Sequence, residues 1–488
     1  MDIQQERRRL MDAEDGHDPT GLISEQDAYL SKVKNKKLYL ATFASVLGPM
    51  SFGFVLGYSS PVIPELTATA DPRLQLDANQ ASWFGSIVTV GAAVGGLLGG
   101  WMVEKFGRKL SLMFCSLPFV FGFTVIVAAQ NVWMLYVGRL LTGLASGVTS
   151  LVVPLYISEM SHERVRGTLG SCVQLMVVLG IMGVYLAGLF LSWRWLAICC
   201  SIPPALLMVL MCFMPETPRF LLSKGKRREA EEALRFLRGP DAPIEWECAR
   251  IEDACDEQGS SFHLSDLKDP GVYKPLLIGA MLMVFQQMTG INDIMFYAEN
   301  IFEQAHFTNS DLASVLVGLI QVIFTGVAAI IMDKAGRKVL LIISGIAMTI
   351  STAAFGIYFY IMSVYHSSHT TATLPDLSWL PLASMAVYIA GFALGWGPIP
   401  WLVMSEIFPV KARGFASAVC VLTNWGMAFL VTKNPFRNMT NVLTSAGTFW
   451  LFAFMCILNV IFTMAFIPET KGKTLEQIEA TFRGTSGP

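Results

Sequence analysis

Long runs of uncharged residues recur along the whole chain, for example Leu110–Gly138, Gly167–Trp193 and Gly414–Thr432. A run of about 20 apolar residues spans a bilayer as a helix. Length alone, at 488 residues, would suggest several soluble domains, but apolar runs spread from one end to the other argue against them. Only 15% of the residues are charged and 53% are hydrophobic, whereas soluble domains carry about 25% charge. The chain therefore reads as an all-α polytopic membrane protein. A soluble enzyme, a DNA-binding protein and a disordered hub are poor fits. A net charge of −2 implies no nucleic-acid partner. The nine cysteines have no framework spacing, and they read as free thiols.

Twelve spans are expected, centred near Ser51, Val90, Val120, Ala145, Gly180, Ala205, Phe285, Gln321, Met348, Ala390, Val421 and Leu458. An even number puts both termini on one side. Of the 35 Lys and Arg residues, 30 fall on that side, so both tails are expected in the cytosol. A hydrophilic stretch between spans six and seven contains Lys224–Gly239, which has the pattern of an amphipathic surface helix. The expected divisions are a tail at 1–36, a six-helix bundle at 37–215, a helical linker at 216–271, a second bundle at 272–467 and a tail at 468–488.

The two halves repeat each other. Glu104-Lys105-Phe106-Gly107-Arg108-Lys109 after span two matches Asp333-Lys334-Ala335-Gly336-Arg337-Lys338 after span eight. Glu159 and Arg166 between spans four and five match Glu406 and Arg413 between spans ten and eleven, seven residues apart in each pair. Pro215-Glu216-Thr217 after span six matches Pro468-Glu469-Thr470 after span twelve. Two similar six-span halves are expected to bind a ligand between them near the bilayer midplane. The repeated acids and bases are suited to holding one side of that cleft shut by charged hydrogen bonds. Pro398 and Pro400 should kink span ten into a bending gate. The glycines of span two, Gly91, Gly95, Gly96, Gly99 and Gly100, form a small-residue face read as intrachain packing.

Within the spans the polar residues are mostly amides and tryptophans. Gln174, Gln286, Gln287, Asn292, Gln321, Trp401, Asn424 and Trp425 offer donors, acceptors and flat apolar faces without charge. That kit suits a neutral ligand rich in hydroxyls, because a hydroxyl desolvated without a partner is costly. Asp293 and Arg139 are the charges within spans; an intramembrane carboxylate is functional by default, and Arg139 reads as a structural hydrogen-bond donor. No Gly-x-x-x-x-Gly-Lys-Ser/Thr loop is present, which argues against an ATP-driven pump.

The repeated Gly-Arg-Lys loops are similar to signatures of the sugar porter family of the major facilitator superfamily. So are Pro154-Leu155-Tyr156-Ile157-Ser158-Glu159, Pro215-Glu216-Thr217-Pro218-Arg219, Gln286-Gln287-Met288-Thr289-Gly290-Ile291-Asn292 and Gly397-Pro398-Ile399-Pro400-Trp401. Within that family the chain resembles a facilitative glucose transporter. The resemblance implies a major facilitator fold, twelve helices in two pseudo-symmetric halves, and uniport of hexoses by alternating access, with no cofactor. It puts Gln286, Gln287 and Asn292 at sugar-contacting positions and Tyr297 at an outer gate. Glucose-selective members carry Glu and Asn where this chain has Ala393 and Ala428, which weakens strict glucose selectivity. Proton-coupled relatives carry Asp in span one where Val55 stands, which favours uniport. The alternative is a proton-coupled sugar or polyol symporter that uses Asp293; a non-transporting sensor is disfavoured by the short stretch after Glu469. Asp18, separated by three residues from Leu22-Ile23, has the spacing of a dileucine sorting signal. That spacing implies clathrin adaptor partners, an endosomal or lysosomal membrane, and an extended tail. A monomer is expected.

Overall fold

The computed structural model describes residues 19–258, 262–291, 294, 310–368, 377, 379–432 and 435–484. Asp18, Asn292, Asp293 and Tyr297 lie outside the described residues. Among those described, the regular structure is helical throughout.

The first six spans are Lys36–Thr67, Ala78–Lys105, Arg108–Val127, Val132–Met160, Arg166–Gly188 and Trp193–Met211. Three helices follow at Pro218–Ser223, Arg227–Arg238 and Ile244–Gln258, then a short 3-10 turn at Leu264–Lys268. Spans seven to twelve are Pro270–Met288, Ser310–Ala335, Arg337–Ser367, the broken pair Trp379–Leu394 and Ile399–Ile407, Arg413–Thr432, and Pro435–Phe466. A last helix runs over Leu475–Arg483. Eleven of these twelve are long and apolar enough among the described residues to cross a bilayer. Span seven falls short because Lys274, Gln286 and Gln287 lower its mean hydropathy.

Glycines set the close approaches. In span two, Gly91, Gly95 and Gly99 face span four, where an added Cβ would lie 2.6 Å from the Leu140 carbonyl and 2.2 Å from that of Leu144. Gly96 and Gly100 face span eleven at Val421 and Ala418. One helix thus packs on its own half through one glycine row and on the other half through a second. Spans five and eight make the matching contact across the halves, with Met182 of span five over Gly318 of span eight. The small-residue face is therefore intrachain packing. Gly53 of span one and Gly180 of span five also meet backbone to backbone.

Arg139 is 1% exposed inside the first half. Its Nη1 donates to the Val55 carbonyl at 2.7 Å and its Nε to the Phe84 carbonyl at 3.2 Å, with the guanidinium over the Phe84 ring. This is the structural role read from the sequence: one side chain ties spans one, two and four together through their backbones.

The amphipathic linker helix forms at Arg227–Arg238, with Ala230, Ala233, Leu234 and Leu237 buried. It belongs to a separate small core with Tyr29, Leu30, Ile244, Cys248 and Ile251. The N-terminal tail departs from the extended form a sorting signal requires. Pro19–Ser31 is a helix, so Leu22 and Ile23 are helical. The physical reason lies at its far end. Tyr29 and Leu30 are drawn into the linker core, the Tyr29 hydroxyl donates to Glu247, and Arg164 pairs with Asp27 at 2.9 Å. All nine cysteines are free.

These contacts make span two sensitive to a single added side chain. Gly95→Val should lower stability by roughly 1–3 kcal/mol, seen as a fall in melting temperature in detergent. Gly326→Ala, at a position with nothing within 4 Å, should leave it level or raise it.

Candidate functional site: crossed ion pairs and buried amides between the halves

All ten repeated acid–base residues come together on the face that carries the helices Pro19–Ser31 and Leu475–Arg483, the tail face. Each half first builds its own corner. Gly107 and Gly336 take φ of +86° and +85°, a region that favours glycine. A Cβ there would also collide with Glu216 or Glu469, at 2.5 and 2.6 Å. The space is needed because each carboxylate caps the helix that follows. Glu216 accepts from the backbone N–H groups of Arg108 and Lys109, and Glu469 from those of Arg337 and Lys338. Negative charge at a helix N-terminus is favourable. The repeated Gly-Arg-Lys and Pro-Glu-Thr motifs are thus two parts of one corner. Burial pushes the Glu216 carboxyl up, against the pull of the Thr217 amide and Arg108.

The halves are then crossed through two buried carboxylates. Glu159 of the first half accepts from Arg108 of its own half at 2.9 Å and from Arg413 of the other at 2.7 Å. Glu406 of the second half pairs with Arg337 of its own half at 3.2 Å and with Arg166 of the other at 2.9 Å. Both carboxylates are 0–1% exposed. The backbone repeats the crossing. Glu104 of the first half accepts from the Gly414 N–H at 2.9 Å, and Asp333 of the second accepts from Gly167 and Thr168 at 2.9 and 2.8 Å. Each half therefore supplies a capping carboxylate to a helix of the other, and the tail face is closed.

Sequence reasoning missed several members of this closure. The Thr217 hydroxyl donates to Glu159 at 2.7 Å, and Arg219 donates to the Glu159 carbonyl at 2.8 Å. Both stand in the Pro-Glu-Thr-Pro-Arg motif, which carried the signal. Arg219 also pairs with Glu476 of the last helix at 3.0 Å, and Arg250 lies 3.8 Å from the same carboxylate. Glu476 belongs to no repeat, and nothing in the sequence pointed to it. Burial alone would raise its carboxyl, but Arg219 and Arg250 hold it down, to about 2.

The expected ligand-contacting residues divide into two groups. Gln174 of span five, Gln321 of span eight and Trp401 of span ten are half-buried. Gln286, Gln287, Asn424 and Trp425 are buried. Gln286 and Asn424 meet directly, the Asn424 amide donating to Gln286 Oε1 at 2.7 Å. Trp425 packs edge-on against Phe52 of the first half, ring centres 5.5 Å apart. Its indole N–H is buried, without a partner among the described residues. Pro398 and Pro400 sit at the break of span ten, where the helix is interrupted between Leu394 and Ile399. Ala393 and Ala428 are buried.

A sequence profile described as "Sugar (and other) transporter" matches residues 40–482. The chain belongs to this sugar transporter family. It is a multi-pass membrane transporter with the major facilitator fold, not an enzyme. It is 56% identical over 466 residues to bovine solute carrier family 2, facilitated glucose transporter member 8, covering 93% of this chain and 96% of that one. It also resembles a solved proton:xylose symporter bound to 6-bromo-6-deoxy-D-glucose, with a TM-score of 0.78, 28% identity, and coverage of 91% and 98%. Against the inward-open form of the xylose transporter from E. coli the TM-score is 0.63, at 28% identity and coverage of 91% and 99%.

Glu476 makes a pH prediction. Its folded pKa lies below the ordinary 4.5, so its contribution is present above that value and is lost as pH falls through about 2. Acidifying from pH 7 to pH 5 should therefore leave hydrogen exchange of Leu475–Arg483 unchanged relative to the rest of the protein. Glu476→Gln should speed exchange there at both pH values.

Proposed function

We propose that the chain is a facilitative hexose uniporter that works by alternating access. The tail face is cytosolic, so the closed state described above opens outward. The observation that carries the uniport reading is the Arg139 Nη1 bond to the Val55 carbonyl. The buried arginine beside span one is satisfied by backbone carbonyls, so proton uptake by an acid at position 55 has no part in its pairing. The hexose reading is supported by the amides and indole gathered between the halves, which match a neutral polyhydroxyl ligand, and by the high identity to a facilitated glucose transporter.

In this reading Gln174, Gln286, Gln287, Asn292, Gln321, Trp401, Asn424 and Trp425 line the sugar site. Tyr297 closes its outer mouth. The unpaired Trp425 N–H supplies one donor for a sugar hydroxyl. The ten acid–base residues close the inner side, and the break at Pro398 and Pro400 gives span ten its bend. The transporter acts as a monomer with cytosolic tails, in endosomal or lysosomal membranes with a share at the cell surface. Asp18, Leu22 and Ile23 would serve a clathrin adaptor once the N-terminal helix unwinds.

The test is uptake of radiolabelled D-glucose into proteoliposomes with and without an inward proton gradient. The expected result is equilibration to the same level in both. Accumulation above equilibrium under the gradient would replace the uniporter with a symporter working through Asp293. Sugar binding without flux would indicate a sensor. Trp425→Phe keeps the ring against Phe52 and removes the N–H. It should raise the KM for D-glucose about fivefold, the effect of one neutral hydrogen bond, with little change in melting temperature.

A further inference from the structure

The break in span ten leaves a specific vacancy in its backbone hydrogen bonds. In an uninterrupted helix the Trp396 carbonyl would accept from the N–H of residue 400, but that residue is proline and has none. In a membrane interior an unpaired carbonyl is costly. The Gln286 amide fills the gap, donating to the Trp396 carbonyl at 2.8 Å and to the Gly397 carbonyl at 3.1 Å. Span ten returns the bond. Span seven ends at Met288, with Gly290 at φ +84°, and the Tyr388 hydroxyl donates to the Thr289 carbonyl at 2.8 Å. The end of span seven and the break of span ten are thus each completed by a side chain of the other.

The capacity of Gln286 is then nearly used. Its two N–H donors are both on span ten, and its oxygen accepts from Asn424 at 2.7 Å. One acceptor site remains. A sugar hydroxyl that takes more than that site must draw the amide away from the break.

We propose that Gln286 is a positioning residue for span ten as well as a sugar contact, its amide standing in for the N–H that Pro400 lacks, so that sugar occupancy and the bend of span ten compete for one side chain. The proposal rests on the hexose reading above. The brace holds the break without sugar and releases it with sugar, and a break that is never braced or never released turns over slowly.

A double-mutant cycle tests it in the full-length protein in proteoliposomes, with D-glucose as probe. Pro400→Ala restores an N–H for the Trp396 carbonyl. It should lower KM, because Gln286 is released to the sugar, and lower turnover, because the break stiffens. Gln286→Glu removes the donors while keeping size and an acceptor. It should reduce turnover about tenfold in the native background and less than about threefold beside Pro400→Ala. Equal fold-losses in both backgrounds would overturn the proposal. So would coupling in sugar-free melting temperature with none in KM or turnover, since that pattern is a structural brace only. If Pro400→Ala does not fold, Tyr388→Phe tests the reciprocal bond. Turnover should fall severalfold with KM unchanged, and unchanged turnover would overturn the proposal. A native protein that moved no D-glucose would bring down the hexose reading and this proposal together. Missing coupling in a protein that does move it overturns this proposal alone.

Discussion

Two buried carboxylates, Glu159 and Glu406, hold the closed face of this transporter. Each carries one arginine from its own half and one from the other. Two ionised groups cost several kcal/mol each to bury, and only close, well-satisfied partners offset that cost. The arrangement is therefore sensitive to its geometry. With both halves in register, every charge is paired. Once the halves part, each carboxylate keeps one arginine and Arg166 and Arg413 lose theirs to water. A closure that exchanges desolvated pairs for hydrated charges can be nearly balanced in free energy, which is what alternating access requires.

The rest of the fold serves that register. The glycine rows of span two let spans four and eleven approach closely enough for Gly414 to reach Glu104. Gly107 and Gly336 make room for the capping carboxylates that orient Arg108 and Arg337. The linker is fixed to the first half by Arg238, which donates to the Met160 carbonyl at 2.7 Å and pairs with Glu247 at 3.0 Å. It reaches the last helix through Arg219 and Glu476. Gln286 and Tyr388 join spans seven and ten and bring the buried amides beside the break at Pro398 and Pro400.

Much of this was legible because it is repeated. Apolar runs gave the spans, and the doubled Glu/Asp, Gly-Arg-Lys and Pro-Glu-Thr elements marked the residues that meet at the tail face. What repetition could not supply was pairing. The spacing of Glu159 and Arg166 invites a local pair, yet Arg166 goes to Glu406 and Glu159 takes Arg413, because partners across the pseudo-two-fold are close in space and distant in sequence. Gln286 was read only as a ligand contact, since its second task depends on a carbonyl four residues before a proline in another helix. Glu476 and Glu247 carry no pattern at all. The N-terminal helix was missed because its order comes from Tyr29 docking on the linker, a tertiary contact with no local periodicity.

The central claim is that closure is shared equally between two crossed carboxylates. The most direct measurement is the distance distribution between spin labels at Lys105 and Lys334, one on each half of the tail face, in the native protein and in Glu159→Gln and Glu406→Gln. Removing one partner of a buried pair costs about 3–5 kcal/mol. A mostly short distance in the native protein, with the longer population clearly enlarged in both variants, is the predicted result. Opening in one variant alone, or in neither, would contradict it.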